Sequence, residues 1–169
     1  MPIKKKPDFL IDADVLIDYL KTDDSILQLA GRHVFTLHAM SVTVAQEVDG
    51  LDPDGCARLG LQIIEPNLDQ IMEATDAGGP LSFYDRLCLL VAKERTWGCL
   101  TNDKALRKTC GAEGIKVMWG LELMVELVKT RHLGRLQAVK VAEAIHKSNP
   151  THITAKLIER FKAIVLKRP

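Results

Sequence analysis

The chain has 169 residues, 47% of them hydrophobic and 27% charged, with a formal net charge of +1. That is enough chain for one packed domain and too apolar for an intrinsically disordered segment. No apolar stretch approaches the ~20 residues of a membrane span, the N-terminal MPIKKKPDFL lacks the apolar core of a secretory leader, and the overall charge is far from that of a dedicated DNA-binding domain.

The charge is nevertheless uneven. Residues 1–128 carry 13 Lys and Arg against 20 Asp and Glu, whereas residues 129–169 carry 10 against 2. An acidic body joined to a basic tail points to a polyanionic partner, with a solvated helical face as the plainer alternative. The four cysteines form no CxxC pair and no zinc-type spacing with the five histidines. Reduced, packed thiols and a cytoplasmic location are the expectation.

In chain order, residues 1–7 are expected to form a flexible arm. An apolar strand follows over about 8–12, and the string FLIDADVLIDYL then breaks at Asp12-Ala13-Asp14 and resumes with helical periodicity to about Lys21. Asp23, Asp24 and Ser25 offer caps for a helix over 25–31 that Gly31 should stop. A β-branched and aromatic run at 34–42 predicts a second strand, and VTVAQEVDG, carrying Glu47, a helix closed by Gly50. LDPDG at 51–55 has turn chemistry. LQIIEP at 61–66 is a third strand, and Asn67 caps a helix that ends at Gly78 and Gly79.

Residues 82–95 show strong 3.6-residue periodicity, with Asp85 in the first turn. Trp97 to Leu100 is a fourth strand leading into Thr101-Asn102-Asp103, and a short helix starts at Lys104. Residues 115–119 form a fifth strand and LELMVELVKT a helix. Two more helices are expected over 134–148 and 155–165, broken by Asn149 and Pro150, with Thr154 capping the last. Alternating strands and helices predict a parallel sheet with right-handed crossovers, and residues 129–169 a helical extension packed on the same domain.

Helix starts and strand C-termini share one edge of such a sheet, so Asp12, Glu47, Asp85 and Asp103 are expected at one crevice. Each has a local explanation: a cap, a helix-dipole partner or a solvated residue. Together, clustered carboxylates raise one another's pKa unless a cation intervenes. Mg²⁺ or Mn²⁺ suits such hard oxygen donors.

These residues resemble the PIN-domain metal-dependent ribonucleases, including VapC-like toxins of toxin–antitoxin pairs. The first motif, an apolar strand then D-x-[ND], is matched by Asp12-Ala13-Asp14. A Glu on the helix after strand two is matched by Glu47, an Asp heading an apolar helix by Asp85, and L-[TS]-x-D by LTND with Thr101 and Asp103. Order and spacing agree across residues 9–128. Position 14 departs from the pattern, being Asp where many members carry Asn. The tail also resembles the helical extension of a PIN-like subgroup of prokaryotic proteins.

The resemblance implies a three-layer α/β/α fold, with a central mainly parallel sheet of four to five strands over residues 1–128 and C-terminal helices over 129–169. It implies RNA phosphodiester hydrolysis by metal-activated water. Asp12, Asp85, Asp103 and Glu47 would hold Mg²⁺ or Mn²⁺, with Thr101 positioning and Glu47 alternatively acting as base. Asp14 and Asn102 would support them from behind, while Lys104, Arg107 and Lys108 are candidates for the RNA backbone. An antitoxin protein and a homodimer are candidate partners, and a membrane is not. Haloacid-dehalogenase-like phosphatases and response-regulator receivers also place acids at strand ends, but the first leaves Glu47 and Asp85 without roles. The second needs an Asp after strand three, where only Glu65 stands. A non-catalytic PIN-like module binding protein or RNA is the main alternative.

Overall fold

Five strands, β1 Asp8–Ile11, β2 Thr36–Met40, β3 Leu61–Ile64, β4 Gly98–Leu100 and β5 Val117–Met118, pair in parallel in the order β3-β2-β1-β4-β5. The computed structural model describes residues 2–167; Met1 of the expected arm and Arg168 and Pro169 of the basic tail lie outside them. Between the strands run α1 Ala13–Leu20, α2 Ser25–His33, α3 Ser41–Glu47, α4 Pro53–Arg58, α5 Leu68–Asp76, α6 Phe83–Arg95 and α7 Lys104–Ala112. After β5 come α8 Glu122–Lys129, α9 Arg135–Ser148 and α10 Ala155–Val165.

The central strands β1 and β4 are buried and apolar on both faces, as a parallel sheet covered on both sides requires. Alternate residues separate the two. Phe9, Ile11, Leu37, Ala39, Leu61 and Leu100 join one core with residues of α1, α2, α8, α9 and α10. Leu10, Met40 and Cys99 join a second with α6 and α7. The result is a three-layer α/β/α arrangement whose sheet is entirely parallel among the described residues. The C-terminal helices bury Ala138, Val141, Ala142 and Ile145 of α9 and Ile158, Phe161 and Val165 of α10 in the same core as α1. All four cysteines are buried free thiols: Cys56 lies in the first core and Cys88, Cys99 and Cys110 in the second. Among the described residues no helix is long and apolar enough to cross a membrane.

Three local expectations need correction. LDPDG is not a free turn but the start of α4: Asp52 caps it by accepting from Gly55 N at 2.6 Å, and Pro53 takes the first position, where its missing N–H costs nothing. Gly31 does not stop α2, which runs on to His33. A Cβ at Gly31 would stand 3.2 Å from the Gly60 carbonyl oxygen, so this glycine serves helix-to-loop approach. The second strand ends at Met40, and Ser41 and Val42 already belong to α3. The short helix expected from Lys104 is present and ends at Ala112.

Gly98 in β4 is the tightest of these approaches. A Cβ there would lie 2.3 Å from Cε1 of the buried Phe9 ring. Gly98→Ala is therefore expected to destabilise the fold by about 1–3 kcal/mol, the range of overpacked cores. Chemical denaturation checks this, and Phe9→Leu in the same background should recover part of the loss.

Candidate functional site

From β1 the sheet grows outward through β2 and β3, then on the opposite side of β1 through β4 and β5. Crossovers leave on opposite faces at that reversal and open a crevice beyond the strand C-termini. β1 and β4 end level, with Ile11 paired to Leu100, so Asp12 and Thr101 leave the sheet as neighbours.

Asp12 is buried and caps α1, its Oδ1 accepting from Ala13 N at 2.9 Å. Its Oδ2 accepts from the Thr101 hydroxyl at 2.8 Å, and that hydroxyl oxygen accepts from Asp103 N at 3.0 Å. One fully buried hydroxyl thus bridges the ends of two strands. Asp103 caps α7 through Oδ1, which accepts from Leu106 N at 2.8 Å. Asp85 lies in the first turn of α6, behind the Ser82 cap. Glu47 is the last residue of α3, and its Oε1 is buried without a hydrogen-bond partner.

These acids act on one another. Burial pushes the Asp12 carboxyl up, and the charges of Asp85 and Asp103 push it further against the Thr101 hydrogen bond. Burial, then Asp12 and Asp85, raises Glu47 to about 7. Asp85 is raised by burial and by Asp103, opposed by Ser82 and Arg86. The four predicted carboxylates therefore share one electrostatic neighbourhood. Among the described residues, however, no three Asp, Glu, His or Cys side chains stand close enough to form a ready-made chelate. Metal-free carboxylates repel, and a cation would have to draw them inward.

Asp14 spends both oxygens on the protein: Oδ1 accepts from Val15 N at 2.7 Å and Oδ2 from Asn102 N at 3.1 Å. Burial and the Asp12 charge raise its pKa. Asn102 accepts from Gly120 N at 2.9 Å and donates through Nδ2 to Asp18 at 3.3 Å. Of the basic candidates, Lys104 and Lys108 are exposed. Arg107 instead stacks 3.7 Å over the Trp119 ring and donates to the Thr101 carbonyl at 3.4 Å, propping the loop from below.

Two partners in this network escaped the sequence reading. Asp18, buried at 4% exposure, holds Asn102 and also accepts from Asn149 Nδ2 at 3.0 Å. Its signal was present: it lies one turn beyond Asp14, on the same side of α1, as an acid among the apolar residues of that helix. Asn149, read only as a helix breaker, had no comparable signal.

Among solved structures the chain matches a PilT N-terminus domain protein from the hyperthermophilic archaeon Sulfolobus solfataricus P2. Identity is 15% and the TM-score 0.54, over 70% of this chain and 92% of that one. The fold is PIN-like. At that identity the likeness concerns architecture alone. No protein-family model and no curated protein sequence matches the chain. The PIN-like sheet sets Asp12 and Asp103 at the strand C-termini, while Asp85 and Glu47 arrive on helices of different crossovers.

Proposed function

We propose that this PIN-like chain is a metal-dependent endoribonuclease that hydrolyses RNA phosphodiester bonds. The observation that supports it most is the unneutralised set Asp12, Glu47, Asp85 and Asp103 at the β1–β4 reversal, in which burial and the neighbouring acids raise Asp12, Glu47 and Asp85 and a buried Glu47 oxygen is unpartnered. None of the four forms a salt bridge among the described residues.

The donor set fits Mg²⁺ or Mn²⁺, which prefer carboxylate oxygens. Asp12, Asp85 and Asp103 would hold the ion, with Glu47 as a further ligand or a base. Such an ion, when bound, supplies positive charge and Lewis acidity toward water and phosphate oxygens. The protein's own part is positioning. Thr101 fixes the Asp12 carboxylate relative to Asp103, and Asp14 and Asn102 hold the loop carrying both. With its pKa near neutral, Glu47 Oε1 is suited to take a proton from an attacking water. Lys104 and Lys108 would contact the RNA backbone.

The test is cleavage of a mixed-sequence RNA by the purified chain. Cleavage with Mg²⁺ or Mn²⁺ that stops on adding EDTA is the expected result, and none with either ion refutes the reading. A toxin role adds growth arrest on expression, relieved by an antitoxin. A non-catalytic PIN-like module is the second reading, favoured by the lack of a ready-made chelate among the described residues. It predicts RNA or protein binding indifferent to EDTA, without cleavage.

A further inference from the structure

We propose that the C-terminal helices form the substrate rim of the carboxylate site. A hydrogen-bonded relay, Asn102–Asp18–Asn149–His152, holds this rim against the site loop, and the rim takes the phosphate backbone of an RNA strand. The inference rests on the nuclease reading and assigns to residues 129–169 a part in it.

The relay begins in the site. Asn102 sits between Thr101 and Asp103 and donates to Asp18 Oδ2, while Asn149, at the C-terminal end of α9, donates to Asp18 Oδ1. A buried carboxylate is costly unless its oxygens are satisfied. Here one carboxylate is satisfied only by joining the site loop, α1 and the end of α9. Because the Asn149 amide nitrogen serves Asp18, its oxygen faces His152 Nδ1 at 3.1 Å. That ring nitrogen must then donate, so Nε2 of the exposed His152 can donate to a phosphate oxygen when the ring carries both protons. His152 also acts on Asp18 electrostatically, lowering its pKa against the effect of burial.

Charge points to the occupant. A carboxylate crevice on an acidic body repels RNA, so an approaching strand needs positive charge beside it. The extension supplies it. Its acids, Glu143 and Glu159, both pair with Lys162, at 2.8 and 3.5 Å. Lys140 and Lys147 are exposed and two turns apart on one side of α9, the second of them two residues before Asn149. Lys147 therefore stands beside the relay, and Lys140 lies two turns back along α9, beside Thr22 and Asp23.

The experiment measures binding of a fluorescein-labelled single-stranded RNA to the full chain by anisotropy, in EDTA and over a salt series. The triple variant Lys140→Ala/Lys147→Ala/His152→Ala is expected to bind at least tenfold more weakly, with a salt slope shallower by about 1–2, since each phosphate contact on a single strand contributes about 0.7. Lys4→Ala/Lys116→Ala, which removes charge outside the extension, should leave affinity unchanged. Equal losses in the two variants mean diffuse attraction and overturn the proposal. So does an unchanged triple variant, or a chain that binds an acidic peptide and not RNA. Asn149→Ala tests the relay: it should raise KM for cleavage several-fold with a smaller change in kcat, whereas partial unfolding lowers apparent kcat and leaves KM alone. Cleavage by wild type with an unaffected triple variant defeats this inference and spares the nuclease reading. Specific binding without cleavage does the reverse.

Discussion

Replacing Asp12 by Asn is expected to lower kcat/KM for RNA cleavage at least about 10²-fold in Mg²⁺ or Mn²⁺, the scale of losing one preorganised electrostatic partner in an active site. The substitution is nearly isosteric, and an Asn oxygen can still accept from the Thr101 hydroxyl or from Ala13 N, the two bonds Asp12 makes now. What disappears is a negative charge at the point where β1 and β4 end together. Asp103→Asn should give a comparable loss, because its backbone N–H, and not its carboxylate, makes the bond to Thr101. Initial rates against metal concentration, with a thermal melt of each variant, provide the check. Rates equal to wild type at saturating metal in both variants contradict the assignment.

The same carboxylates should make the metal-free protein less stable as pH rises. Glu47 is raised from 4.5 to about 7, and Asp12, Asp14 and Asp85 are raised as well. The folded state thus binds protons more tightly than the unfolded chain. Its advantage is complete below pH ~4 and is lost as pH climbs through the folded-state values, about 6 for Asp12, about 7 for Glu47 and about 8 for Asp14. In EDTA the melting temperature is expected to fall from pH 5 to pH 8, and Mg²⁺ at pH 8 should restore it by binding only the folded form. Glu47→Gln removes one raised acid and should stabilise the metal-free protein at pH 8 by about 1–2 kcal/mol after discounting for solvent screening. It should also flatten the pH dependence and slow cleavage. Melts of both proteins at the two pH values decide this, and equal slopes contradict it.

Much of this architecture was legible because its signals were local. The apolar run Phe9-Leu10-Ile11, the Asn67 and Thr154 caps and the periodic stripe of α6 each specify an element within a few residues. The carboxylate neighbourhood was legible from strand order, since a parallel sheet brings helix starts and strand ends to one edge. What failed depended on distant chain. Asp52-Pro53 is equally good turn and helix-start chemistry. Gly31 looks like a stop until the Gly60 backbone is known to pass it. The stacking of Arg107 on Trp119, which follows β5, has no local sign in the sequence. Asp18 and Asn149 are 131 positions apart, and no spacing rule joins an acid on the first helix to the cap of the ninth.

The buried thiols give the molecule a built-in gauge of its own opening. Cys56 lies under one face of the sheet, while Cys88, Cys99 and Cys110 lie under the other. Alkylation of each must await exposure, and its rate under slow-labelling conditions follows the population of the form that uncovers it. If the two layers come away together, all four cysteines are modified in step. If the α6–α7 layer lifts while the other stays shut, mass spectrometry will find three labelled thiols ahead of the fourth. Because α6 carries Asp85 and α7 follows Asp103, that ordering would report how firmly half of the carboxylate set is held.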